Sequence, residues 1–221
     1  MRKITHSLMI AGLALAAGSA LAQSDPATTL KSGFYLAAGA GGDWVDRSSL
    51  TIFGRSVDSR WAAGWGGFAA LGYRFPFGLR LELEASGRDD LNHAFNQNRW
   101  YGTQWDTSGM VDVLYDISTG TRFVPYLGGG IGISHISWGN NFRANLNSLP
   151  YVYDDSGSEF AWQAIAGIAY QVTGSLAVTI DGRYKGSSGY SFRASGPAAA
   201  DISNFDYKTR SLFFGVRYSF D

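Results

Sequence analysis

The chain has no cysteine, so no disulfide holds it together and no thiolate can bind a metal or attack a substrate. Histidine is nearly as scarce: among 221 residues only His6, His93 and His135 occur. A transition-metal site is therefore not expected, and neither is a cofactor. Charge of one sign is also missing. Lys+Arg and Asp+Glu stand at 18 each, which leaves no electrostatic footprint for nucleic acid. Past residue 22, every long apolar stretch is broken by Gly or by charge, so none reaches the ~20 residues of a membrane-spanning helix. No Gly-rich stretch leads into a helix, which excludes a phosphate cradle. Asp154-Asp155 lacks the spacing of an EF-hand.

What the chain does have is glycine and aromatics, 29 Gly and 15% Phe, Trp and Tyr. A narrow barrel uses both: Gly lets large side chains fit across the lumen, and aromatics form belts at the membrane surfaces. The N-terminus reads as an export signal over 1–22. Arg2 and Lys3 are positive, Leu8 to Ala17 is apolar, and Ala20-Leu21-Ala22 has the small residues of a cleavage site before Gln23. Its apolar run is too short to span a bilayer. Removing it lowers Lys+Arg from 18 to 16 against 18 Asp+Glu, a net charge near −2. Residues 23–32 then form a short N-terminal segment and 33–221 the folded unit.

That unit alternates with a period of two. At its end Leu212, Phe214, Val216, Tyr218 and Phe220 share one face, and Ser211, Phe213, Gly215, Arg217 and Ser219 the other. Eight such segments are predicted, over 33–43, 61–75, 78–88, 102–117, 122–138, 158–172, 175–186 and 206–220. Tight turns at Phe75-Pro76-Phe77-Gly78, Ser118-Thr119-Gly120-Thr121 and Thr173-Gly174-Ser175 join the second to third, fourth to fifth and sixth to seventh. The other connections, 44–60, 87–101, 139–157 and 187–205, are long. Alternating short and long connections around an even number of strands predict an all-β, eight-stranded antiparallel up-and-down transmembrane barrel, with its turns in the periplasm and its four loops outside the cell. A soluble barrel such as a lipocalin would put its apolar face inward. Here the charges lie opposite the Leu, Ile and Val stripe. Arg74, Arg80, Glu82, Glu84, Asp112, Asp116, Glu159, Asp181, Arg183, Lys185 and Arg217 are predicted to face the lumen. They are expected to pair there, Asp181 and Arg183 with Arg217 among them, because an unpaired buried charge is costly.

Several segments resemble small outer-membrane barrels of the opacity-protein and OmpA-transmembrane-domain type, the "porin family" of Gram-negative bacteria. They are Gly33-Phe34-Tyr35-Leu36-Ala37-Ala38-Gly39-Ala40-Gly41, Ala70-Leu71-Gly72-Tyr73-Arg74-Phe75, Val124 to Gly132, and Phe160 through Tyr184. The resemblance covers essentially the whole chain after the signal. It implies an outer-membrane location, contact with lipopolysaccharide, and a surface-antigen or adhesin-like role through the loops. It also implies that the last strand is read by the barrel-assembly machinery, although Asp221 follows the terminal aromatic Phe220. OmpA proteins carry a peptidoglycan-binding domain as well. With the chain ending at Asp221, that function is not expected.

Three chemical readings are open. Asp89-Asp90 with His93 could suggest an aspartate/histidine protease, but reads better as a polar loop. Glu82 and Glu84 share a face, but a filled lumen offers acid/base work no room for a substrate. His135 and Ser137 share the outward face and resemble the His-x-Ser pair of small-barrel lipid A deacylases, in which a Glu orients the His. Glu159 is a long loop away and inward, so no catalytic residue and no enzyme are expected. The loops are rich in aromatics: Trp44, Phe53, Phe95, Trp100, Phe142, Tyr151, Tyr153, Tyr190, Phe192 and Phe205. Such residues suit recognition of a host or matrix ligand and equally suit membrane belts. A narrow channel for ions or small solutes is the competing expectation.

Overall fold

The computed structural model describes residues 31–46, 48–52, 55–61, 63–91, 93–95, 98–99, 103–138, 143–146, 149–152, 156–192 and 202–220. The predicted signal and most of 23–32 lie outside them. Eight long strands form a closed barrel. They are β1 Gly33–Val45, β2 Ala63–Arg74, β3 Leu79–Leu91, β4 Thr103–Asp116, β5 Phe123–Trp138, β6 Ser156–Gln171, β7 Leu176–Phe192 and β8 Ile202–Ser219. Each pairs antiparallel with its neighbour in sequence, and β8 closes onto β1 with Leu36 opposite Tyr218 and Ala38 opposite Val216.

Closure leaves the barrel wall no free edge, so its backbone donors and acceptors are used within it along the regularly paired part of the strands. This is the condition for a sheet to sit in lipid. The period-two pattern then sorts the side chains. Leu83 (61%), Ile133 (62%) and Phe214 (60%) are exposed on the outside, while Glu82, Ser134 and Phe213 beside them in sequence are buried inside. Aromatics belt the turn end. Phe34 meets Tyr73 edge-on at 5.0 Å between centroids, Tyr73 meets Phe75 at 5.0 Å, and Tyr218 meets Phe220 at 5.5 Å. Trp44 and Trp65 lie outward at the opposite end. Trp65 and Tyr73 are eight residues apart on β2. At ~3.3 Å per residue and a ~40° tilt, the band between them is roughly 20 Å tall, close to that of known membrane barrels.

An arginine in that band should cost much more than one at its rim. Leu83→Arg is expected to lose about 2–4 kcal/mol of stability, and Thr107→Arg, near the loop end, at most about 1 kcal/mol. Urea titration of the barrel folded into vesicles measures both. Equal costs at the two depths would contradict this placement.

The tight turns fall where expected. Gly78 donates its amide to the Phe75 carbonyl at 3.1 Å, with Gly78 at φ +89°. At the other end the strands outrun the expectation: β3 continues to Leu91, β7 to Phe192, and β8 begins at Ile202. Above the membrane both faces of a strand meet water. The hydrophobic alternation therefore stops while the hydrogen-bond ladder goes on. The long connections hold strands of their own. Ser48–Ile52, Arg55–Trp61, His93–Phe95 and Asn98–Arg99 make a four-stranded sheet that joins the first two connections, and Arg143–Leu146 pairs with Leu149–Val152 in the third.

Candidate functional site

The barrel interior gathers thirteen buried charges among the described residues. Seven are carboxylates (Asp43, Glu82, Glu84, Asp106, Asp112, Asp116 and Asp181) and six are cations (Arg74, Arg80, Arg88, Arg183, Lys185 and Arg217). They fall into three groups along the axis.

Nearest the tight turns, Asp116 on β4 collects three arginines from three strands. Arg74 lies 2.9 Å away, Arg80 3.0 Å and Arg217 3.9 Å. Arg80 also donates to Glu82 at 2.8 Å. None of the three contacts to Asp116 has hydrogen-bond geometry, so they are ionic and off-axis. Tyr35 lies beneath the group. Its hydroxyl donates to Glu82, and the three guanidinium carbons lie 5.6 to 5.9 Å from its ring centre. Gly72 makes room for that ring, since a Cβ there would sit 2.3 Å from it.

In the middle, Arg183 on β7 reaches across to Glu84 on β3 and holds Asp181 at 2.7 Å, with its guanidinium 3.8 Å from the centre of the Phe68 ring. Gln163 on β6 donates to Asp112 at 2.7 Å and to Glu84 at 3.3 Å. Towards the long connections, Lys185 donates to Asp106 at 2.7 Å, to Ser108 at 2.9 Å and to Ser134 at 3.0 Å. Arg88 bridges Asp43 at 3.1 Å and Asp106 at 3.4 Å, and Ser211 donates to Asp43.

Ten of the eleven charges expected inside are buried there; Glu159 is half-buried, opposite Ser134. The expected pairing differs in one place. Arg217 joins Asp116 across the lumen rather than Asp181 and Arg183. Sequence reasoning missed Asp43, Arg88 and Asp106. Each continues the inward parity of its strand, which was the available signal. Between the lower groups lies a cavity of about 20 Å³, lined by Arg80, Glu82, Tyr126, Asp181, Arg183 and Arg217 among others. That is room for about one water molecule.

On the outside, His135 and Ser137 share the predicted face, with Ile136 buried between them. The His135 ring does not engage Ser137. Its Nδ1 lies 2.8 Å from the hydroxyl of Ser158 on β6, and among the described residues no carboxylate bonds it. The pair sits opposite Thr107 and Ser156 in the ladder, making a small polar patch near the loop end. Asp89 is half-exposed on the outward face of β3; the side chains of Asp90 and His93 lie outside the described residues, as do those of the loop aromatics other than Trp44.

The comparisons with known proteins agree with this architecture. The chain is 27% identical over 180 residues to the outer membrane protein PagN of Salmonella typhimurium, a match covering 71% of this chain and 73% of PagN. The crystal structure of Neisserial surface protein A superposes with a TM-score of 0.53 at 18% identity, over 85% of this chain and 97% of that one. OprG from Pseudomonas aeruginosa gives a TM-score of 0.53 at 14% identity, over 89% of this chain and all of that one (100%). The family model of the outer membrane protein beta-barrel domain matches residues 12–220. The chain belongs to that outer membrane protein beta-barrel family and lies in the outer membrane of a Gram-negative bacterium.

Proposed function

We propose that this protein is a structural and surface-interaction protein of the outer membrane, with its lumen plugged by charged residues and its four long connections displayed outside the cell. One observation carries the reading: ion pairs from six of the eight strands cross the interior, and the cavity between them measures about 20 Å³. A solute cannot pass a space that holds about one water. A permeating ion would have to break contacts buried out of water, at several kcal/mol each. The strands within the long connections support the second half of the reading, because they give the loops a backbone framework for presenting side chains to a host or matrix ligand. In biogenesis, the outward row Phe214, Val216, Tyr218 and Phe220 is the feature the barrel-assembly machinery would read.

In planar bilayers the protein is expected to show no steady conductance. Steady openings whose ion selectivity changes in Glu82→Lys or Arg217→Glu would make it a narrow channel instead. A barrel with its four long connections shortened should keep its fold and lose binding in a screen of glycans and matrix proteins that the intact barrel passes. His135 turned to Ser158, without a carboxylate, favours a non-enzymatic protein. Purified protein is expected to release no fatty acid from lipopolysaccharide; release that Ser137→Ala abolishes would overturn that.

A further inference from the structure

The lumen charges do not balance: seven carboxylates face six cations. Six of the seven acids have a Lys or Arg nitrogen within 4 Å, and among the described residues Asp112 has none. Asp112 is fully buried, and its Oδ2 has no hydrogen-bond donor. An isolated charge in such a place is too costly to leave uncompensated. Its neighbours make the deficit sharper, because Glu82 and Glu84 offer oxygens that lie with an Asp112 oxygen inside 4.8 Å of one another.

A second, uncharged side chain is aimed into the same spot. Gln163 is buried, and its amide nitrogen binds Asp112 and Glu84 while its carbonyl Oε1 has no partner. Turning the amide over would point that oxygen at the carboxylates. This is unfavourable among anions alone and favourable with a cation between them. The backbone also makes way: a Cβ on Gly130 would lie 1.9 Å from Asp112 Oδ1, so only glycine lets the carboxylate rest against β5.

We propose that Glu82, Glu84 and Asp112, with Gln163 Oε1 as a fourth oxygen, hold one divalent cation of calcium size inside the barrel. The donor set is all oxygen, which selects a hard cation. The spacing admits calcium. Ligands about 2.3–2.6 Å from Ca²⁺ can stand up to about 5 Å apart, and these carboxylate oxygens all lie within 4.8 Å of one another. The ion ties β3 to β4 and β6 across the lumen. The site stands on the interior geometry alone and does not depend on what the loops bind.

Terbium is the probe for this site, since it takes calcium's oxygen ligands and luminesces when an excited aromatic ring is close. Tyr35 bonds Glu82 directly, while Trp44, Trp65 and Trp162 are exposed on the outer wall. The full chain after removal of the signal, refolded in detergent with Tb³⁺, should take up one ion per barrel. Its luminescence should show a tyrosine-type excitation spectrum and be displaced by excess Ca²⁺. Asp112→Asn should weaken uptake by more than about tenfold, while Glu159→Gln leaves it unchanged. The same Asn variant should melt at one temperature with Ca²⁺ or chelator, where the wild type melts higher with Ca²⁺. No uptake by the folded wild type would overturn the proposal and assign the extra charge to a bound proton. A tryptophan-type spectrum, or undiminished uptake by Asp112→Asn, would overturn it equally. If the Asn variant does not fold, the wild-type stoichiometry and excitation spectrum still decide.

Discussion

Replacing Asp116 by alanine should lower the stability of the refolded barrel by about 3–5 kcal/mol, the largest loss expected from any single lumen charge. Arg74, Arg80 and Arg217 all turn to this carboxylate, at 2.9, 3.0 and 3.9 Å, and all are buried. Arg80 keeps Glu82, but Arg74 and Arg217 lose the only acid that the described contacts give them. Three like charges then face one another in a medium where water cannot screen them. The loss therefore comes mainly from the cations left behind, not from the bonds removed. That account has a check. Arg74→Met in the Asp116→Ala background should recover part of the stability, because it removes one unpaired charge. Urea unfolding in detergent micelles, followed by tryptophan emission, measures all three variants. If the double variant is less stable than Asp116→Ala, the charge argument is wrong.

The second large effect is expected at the closing seam. Gly41 on β1 faces Phe213 on β8, and a Cβ there would come within 1.9 Å of the Leu212 carbonyl oxygen and 2.9 Å of its carbon. Both atoms are backbone, so no flexible side chain can swing away. Gly41→Val should force β1 and β8 apart at this point, at a cost of about 3 kcal/mol or more. Because the β1–β8 pairing closes the wall, the measurable result is a larger fraction of chain that fails to reach the heat-resistant folded form on gels. Valine at Gly109 is the control. It lies on the outward face with open space before its Cβ position, and should fold as the wild type does. Equal folding of both variants would show that the seam tolerates the added bulk.

How much of this was legible beforehand differs between wall and lumen. Leu212 to Phe220 alternate with a period of two, and that alone told which residues face out, because a strand turns successive side chains to opposite sides. The tight turn at Phe75 to Gly78 was legible for the same kind of local reason: Pro and Gly have narrow backbone preferences. The upper ends of β3 and β7 were not, since above the lipid nothing selects for apolar residues and the pattern fades into Ser, Gly and Asp. Asp43, Arg88 and Asp106 fell in that faded zone, although their parity was right.

By itself, then, the sequence determined the number of barrel strands, the face their residues take, and the ends at which the chain turns tightly or runs long. These follow from local geometry repeated along the chain. Only the tertiary structure decided which inward charge meets which. Arg183 finds Glu84 and Arg217 finds Asp116 across the lumen, between strands that are not neighbours in the wall. Parity says that a side chain points inward. It does not say how the strands are staggered when the barrel closes, and stagger sets the height at which opposite walls meet. The same closure left Asp112 as the one buried lumen acid, among the described residues, without a Lys or Arg partner, a surplus that no count along the chain could have assigned to it.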